Sequence, residues 1–132
     1  DVVREVTAAE GAKVAVDLVG GAGMGSMIRC LCHQGTLVLV GLLGGARAEL
    51  DLGRLLTRRL CVRGTVLRSR STMDKAALSR AFADHLLHGF SGTPPTLRPV
   101  VSQILPWSAV GEGHALLEQG GTIGKVVLAH ET

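Results

Sequence analysis

The chain has 132 residues, 46% of them hydrophobic and only three aromatic, which indicates a globular protein with enough chain for one domain and an aliphatic core. A net charge of +3 is too small to indicate nucleic-acid binding, and the arginine-rich stretch 58–70 has no aromatic residue to stack on bases. Three cysteines cannot all pair within one chain, and neither a signal peptide nor an apolar run near the ~20 residues of a membrane span is found, so we expect a cytoplasmic protein.

The first third of the chain predicts a helix, a strand and a second helix. The opening helix starts at Asp1 and stops at Gly11, and the apolar run at residues 13–21 is typical of a strand buried on both faces. The second helix spans residues 23–34, with Gly35 after it. Its apolar residues lie at helical spacing: Met24, Met27, Ile28 and Leu31.

The middle third predicts two strands and the longest helix. Residues 36–45, TLVLVGLLGG, give the clearest strand, followed by a helix over 50–60 and a strand over 60–67. The long helix runs from Thr72 to Phe90, and Ser71 starts it as a capping box with Asp74. The apolar stripe of this helix comprises Ala77, Leu78, Ala81, Phe82 and Leu86.

The last third predicts a loop at residues 91–99, an extended segment at 99–107, a helix at 108–121 and a closing strand at 124–131. Helices and buried strands thus alternate along most of the chain. This order predicts an α/β fold: a partial Rossmann-like, three-layer arrangement of a parallel sheet with flanking helices, followed by a C-terminal strand-helix-strand return.

Glycines follow the first predicted strand in the stretch DLVGGAGMGSM. Gly21 and Gly23 fill the first two positions of a Gly-x-Gly-x-x-Gly dinucleotide motif, but Ser26 occupies the last, so the strict motif is absent. The spacing leaves two interpretations open. The stretch is either a plain tight turn or a close backbone approach to a ligand at the carboxyl ends of the strands.

Spacing gives no support for a metal site. Cys30, Cys32 and His33 lie on a predicted apolar helix end, which favours core packing over zinc, and Cys61 is predicted to be buried in its strand. His85 and His88 are predicted to form a surface pair. No metal ligand is therefore predicted.

A hydrolytic triad is also disfavoured. Asp17 could pair with Ser26 or Ser108, but the chain lacks the Gly-x-Ser-x-Gly nucleophile elbow. No catalytic side chain is predicted.

Four segments together resemble the C-terminal half of quinone oxidoreductases in the medium-chain dehydrogenase/reductase (zinc-containing alcohol dehydrogenase-like) superfamily. They are residues 16–21, 31–45, 58–70 and 111–128. The resemblance covers essentially the whole chain and is nearest to the zinc-free, tumour-suppressor-inducible type. It implies that residues 1–92 are the C-terminal part of a Rossmann NAD(P)-binding domain and that residues 93–132 return to a catalytic domain.

The resemblance also implies an activity and partners. Such enzymes transfer hydride from NADPH to quinones or other activated carbonyl or alkene compounds, and they form homodimers through a sheet edge; no nucleic-acid or membrane partner is implied. The family's glycine fingerprint and pyrophosphate-binding turn come before residue 1. We therefore expect this chain by itself to be inactive or nearly so, and to bind NADPH weakly at best.

Cofactor contacts carry over only to positions that match the family's motifs. Gly20 matches a position near the ribose-phosphate portion of the cofactor. Two segments match the nicotinamide side, and the C-terminal return matches a further contact. These residues are Gly41, Leu42 and Leu43, then Val66, Leu67 and Arg68, then Thr122 and Lys125.

Three other functions stay open. The chain could be a non-catalytic interaction module that keeps the dimerising edge. It could belong to a reductase of the same superfamily that acts on 2-enoyl thioesters or alkenals. It could also be a self-contained α/β domain that binds a small acidic ligand near Arg68 and Arg70.

Overall fold

The structure, a computed structural model, describes residues 2–130, which contain five α-helices and five β-strands. The helices are Val2–Val6 (α1), Met24–Arg29 (α2), Leu52–Thr57 (α3), Thr72–His85 (α4) and Val110–Gln119 (α5). The strands are Ala12–Asp17 (β1), Leu31–Leu39 (β2), Cys61–Gly64 (β3), Val101–Pro106 (β4) and Lys125–Ala129 (β5). The contacts divide the chain into two units, Asp1–Lys75 and Ala76–Thr132. Asp1 and Glu131, predicted in the first helix and the last strand, lie outside the described residues.

The first unit contains a three-stranded parallel sheet in the order β1-β2-β3, which confirms the predicted α/β class. Residues that share a register position, such as Ala15, Leu37 and Val62, point to the same face of the sheet. Residues from α2 and α3 pack on that face, because each helix connects two neighbouring parallel strands. The core of this unit comprises Met24, Ile28, Leu31 and Leu37.

The opposite face of the sheet is open in this chain. Val14 is 56% and Val16 is 55% exposed, so the prediction that the first strand is buried on both faces was wrong. Both packing helices of this unit lie on the face that carries Leu37, which leaves the alternate residues of β1 uncovered. Cys61 also is exposed rather than buried, because β3 lies at the edge of the sheet.

The helix predicted over residues 23–34 ends earlier, at Arg29, and β2 begins at Leu31. The Arg54 guanidinium of α3 donates to the carbonyls of Ile28 and Arg29, at 3.3 and 2.8 Å, and so caps the end of α2. Gln34 has a positive φ of 61°, which interrupts helical geometry. The segment Cys30–His33 therefore contains the residue that caps α2 and the first residues of β2. Its two cysteines are half-buried and its histidine is exposed.

The second unit contains a two-stranded parallel sheet formed by β4 and β5. Its α5 helix packs against this sheet at the buried Gly113, where an added Cβ would lie 3.6 Å from Leu105 and 3.7 Å from Leu128. The predicted loop, strand, helix and strand over residues 91–131 are confirmed within the described residues. None of the helices in residues 2–130 has the length and apolar character required to span a membrane.

The long helix α4 begins as predicted, since Ser71 Oγ accepts a hydrogen bond from the Asp74 amide and donates one to the Asp74 carboxylate. It ends at His85 instead of Phe90, and a 3-10 turn covers Leu87–Phe90. The apolar residues of its predicted stripe are exposed, in contrast to the burial that a stripe suggests. His85 and His88 are exposed, as predicted.

Candidate functional site

Two glycine-rich loops lie side by side at the carboxyl ends of β1 and β2. The first loop is residues 18–23 and the second loop is residues 41–45. The Gly44 amide of the second loop donates to the Val19 carbonyl of the first at 2.7 Å. A Cβ on Gly21 would collide with the Gly44 carbonyl, and a Cβ on Gly41 would collide with the Leu18 carbonyl. The close approach of the two backbones therefore depends on glycine.

Asp17, the last residue of β1, holds both loops. Its Oδ1 accepts hydrogen bonds from the amides of Val19 and Gly20, at 2.8 and 3.0 Å, and so fixes the start of the first loop. Its backbone carbonyl accepts from the Val40 amide at 2.7 Å, next to the start of the second loop. The residue is only 5% exposed, and its Oδ2 has no hydrogen-bond partner among residues 2–130. The buried Asp17 thus holds the first loop through its carboxylate and the start of the second loop through its backbone carbonyl.

A cavity of about 530 Å³ opens beside the second loop, between the carboxyl ends of β2 and β3. This volume falls in the range of small-molecule sites, roughly 300–1,000 Å³. The cavity lining is mostly apolar or backbone, with a polar group on one side. It comprises Leu39, Val40, Gly41, Leu42, Gly64, Thr65, Val66, Ser69 and Arg70. The carboxyl ends of parallel strands are the usual place for ligands in such folds.

Arg70 orders the polar side of this cavity. Its Nε donates to the Val66 carbonyl at 3.1 Å, and its Nη2 donates to the Thr65 hydroxyl at 2.9 Å. The same turn is braced from α4, where Lys75 Nζ donates to the Arg68 carbonyl at 2.9 Å. The segment after β3 therefore forms a defined wall with one fixed guanidinium.

Three of the nine residues predicted as cofactor contacts line this cavity: Gly41, Leu42 and Val66. Gly20 is buried beneath the second loop, where an added Cβ would lie 3.3 Å from the Gly41 carbonyl. Leu43 is 89% exposed, and neither it nor Leu67 and Arg68 belongs to the lining. Thr122 and Lys125 lie in the second unit, where Thr122 Oγ1 donates to Leu116 O and the Lys125 amide donates to Val100 O.

The sequence predicts no structural role for Asp17, and it offers Arg70 only as a contact of a small acidic ligand. Asp17 does not pair with Ser26 or Ser108: its Oδ1 accepts from two backbone amides, and Ser26 Oγ accepts from Arg29. An acid that ends an apolar run and precedes two glycines is the signal that could have identified it. Arg70 had a weaker signal, its place in the arginine-rich segment after the third strand.

Within residues 2–130, no three His, Cys, Asp or Glu side chains come together as a potential metal site. The described residues therefore do not supply the donor set that zinc requires.

The curated relatives of this chain are longer than it. Quinone oxidoreductase-like protein 2 of Rattus norvegicus is 25% identical over 129 residues, which make up 98% of this chain and 36% of that protein. The chain thus spans about a third of its curated relatives' length.

Solved structures that resemble this chain also extend well beyond the part that it matches. A crystal structure of an NAD-dependent alcohol dehydrogenase is 27% identical with a TM-score of 0.64, covering 96% of this chain and 33% of the other. A mycobacterial quinone oxidoreductase is 25% identical with a TM-score of 0.58, covering 96% and 37%. The fold is the Rossmann-like half of medium-chain dehydrogenases and reductases, as the sequence predicts. Because the zinc-binding dehydrogenase family matches residues 1–128, nearly the entire chain, this protein belongs to that family.

Proposed function

We propose that the chain is part of an NADPH-dependent quinone oxidoreductase and that the cavity beside the second loop holds the nicotinamide side of the cofactor. One observation carries this proposal. Gly41, Leu42 and Val66 come from two separate segments that resemble nicotinamide-side segments of quinone oxidoreductases, and they line one cavity. The division into residues 1–92 of a cofactor-binding domain and 93–132 of a return to a catalytic domain is part of the same proposal.

The residues of the cavity fit a flat ring with one polar edge. Gly64 leaves the backbone open to a ring, since a Cβ at this position would meet no atom within 4 Å. Leu39, Val40 and Leu42 give the cavity an apolar side, while Thr65 and Arg70 give it polar groups. When bound, a reduced nicotinamide cofactor supplies the hydride.

The substrate in this proposal is a quinone or another activated carbonyl or alkene compound. A reductase of 2-enoyl thioesters or alkenals would use the same cofactor site. Comparison of NADPH oxidation with a quinone and with an enoyl thioester, measured on a whole protein that contains these residues, distinguishes the two. The described residues do not fit zinc, so the proposal includes no step through a metal.

We expect Leu42→Ser to weaken binding of NADPH by about fivefold, because it removes an apolar contact worth about 1 kcal/mol from the cavity lining. A fluorescence titration of NADPH measures the affinity. Leu43→Ser is the matched control, since Leu43 is the next residue, is 89% exposed and lies outside the lining. Equal effects of the two substitutions would contradict the placement of the nicotinamide in this cavity.

A second candidate function is dimerisation through β3. This strand lies at the edge of the sheet, and all four of its residues, Cys61–Gly64, are exposed. An exposed edge offers unpaired backbone groups to a second copy. We expect light scattering of the chain to give twice the monomer mass of 13.7 kDa at micromolar concentration. A monomer mass at every concentration would rule out this pairing.

A further inference from the structure

A second cavity, of about 450 Å³, lies at the opposite end of the three-stranded sheet from the candidate cofactor site, near the amino ends of its strands. It is formed where β1 and β2 begin and where α3 ends, and its charged lining residues are Glu10, Lys13, His33 and Arg58. We name it the basic cavity. Because the other cavity lies at the carboxyl ends of the same strands, the six-residue length of β1, about 20 Å, separates the two sites.

Positive charge in the basic cavity is not neutralised. The basic side chains of Lys13 and Arg58 face the single carboxylate of Glu10, and the His33 imidazole lies beside them. Within residues 2–130, the side chains of these three basic residues make no hydrogen bond or ion pair. The side-chain donors of these residues are therefore not committed to a partner among the described residues.

Arg58 gives the clearest indication of a ligand. Its Nε is buried and has no hydrogen-bond partner among the described residues. Buried donors in folded proteins are nearly always paired, so the unpaired Nε marks Arg58 as a residue whose hydrogen bonds are not completed by the described residues. The Arg58 carbonyl accepts from the Gln34 amide at 2.8 Å, which fixes the end of α3 against β2.

The backbone around the basic cavity is also unusual. Four non-glycine residues among 2–130 have a positive φ, and all four lie at this end of the sheet, before β1, early in β2 or just after α3: Ala8, Ala9, Gln34 and Arg59. Such conformations are unfavourable for residues with a Cβ, and they concentrate at binding sites, where the surrounding structure holds them. We infer that contacts with the surrounding structure hold the backbone in these conformations.

We propose that the basic cavity binds a small phosphate-bearing anion. Arginine and lysine together are the common partners of phosphate, since the planar guanidinium can donate two parallel hydrogen bonds and the ammonium adds a second charge. The volume of the cavity leaves room for the remainder of a small phosphorylated molecule beyond its phosphate group. Nothing in this site depends on the proposed cofactor site.

The chain contains its own reporter for the test. Cys32 lines the basic cavity, whereas the exposed Cys61 does not. The alkylation rate of each cysteine by the neutral reagent N-ethylmaleimide is measured by tandem mass spectrometry, with and without inorganic phosphate at constant ionic strength. We expect saturating phosphate to slow Cys32 at least threefold and to leave Cys61 unchanged. Equal slowing of both thiols, or of neither, would overturn the proposal.

Charge-removing variants test the assignment of the residues. Arg58→Gln and Lys13→Gln are expected to abolish the protection of Cys32, while Arg63→Gln, an equal charge loss at an exposed position on β3, keeps it. Lys13 is exposed, so its variant is expected to fold even if Arg58→Gln does not. Protection that survives in Lys13→Gln, or that acetate gives as well as phosphate does, would contradict a phosphate site.

Discussion

Replacing Gly21 with alanine is expected to lower the free energy of unfolding by about 2–4 kcal/mol. Gly21 has a positive φ of 61°, and a Cβ at this position would collide with the Gly44 carbonyl of the second loop. The two loops would have to separate, and the hydrogen bond from Gly44 to Val19 would be lost with them. Because the second loop lines the candidate cofactor site, we also expect binding of NADPH to weaken at least fivefold.

The matched control is Gly23→Ala. Gly23 belongs to the same loop but has a negative φ of −68°, and a Cβ there would meet no atom within 4 Å. Chemical denaturation of the two variants measures the difference. A Gly21→Ala protein as stable as Gly23→Ala would contradict the close packing of the two loops.

Asp17→Ala is expected to cost about 2 kcal/mol of stability and to weaken binding of NADPH. The substitution removes the carboxylate that accepts from the amides of Val19 and Gly20, and it leaves the buried Gly20 amide without its acceptor. The first loop then loses its fixed start, and the second loop loses the surface against which it packs.

Asp17→Asn separates hydrogen bonding from charge. Asparagine keeps an oxygen in the position of Oδ1 and can accept from the same two amides. We expect this variant to keep most of the stability and NADPH affinity of the natural chain. If asparagine were as harmful as alanine, the charge of Asp17 and not its role as acceptor would hold the loops.

The pattern of apolar residues predicted the order of elements well, because apolar residues recur at a regular spacing in most of the strands and helices. The strand in TLVLV, the capped start of the helix after Ser71 and the closing strand lie where the sequence predicts them. The end of α2 was missed because Leu31 continues the helical spacing of Met24 and Ile28, although it packs on the same core from β2. Spacing alone does not distinguish a helical neighbour from a strand that returns to the same core.

Burial was harder to predict than element type. An apolar run in a strand indicates that both faces can be buried, but Val14 and Val16 face outward in this chain because both helices of the first unit pack on the other face. The resemblance to quinone oxidoreductases predicted Gly41, Leu42 and Val66 as nicotinamide-side contacts, and these three residues line one cavity. Asp17 and Arg70 act through hydrogen bonds to loop backbones, and such bonds leave no periodic signal in a sequence.

We propose that the cavity beside the second loop receives the nicotinamide half of the cofactor. The most direct test is amide chemical-shift mapping of the chain with reduced nicotinamide mononucleotide and, separately, with adenosine monophosphate. We expect the nicotinamide ligand to shift the amides of residues 39–42 and 64–66 and the adenine ligand to leave them unchanged. Shifts elsewhere in the chain, or equal shifts with both ligands, would contradict it.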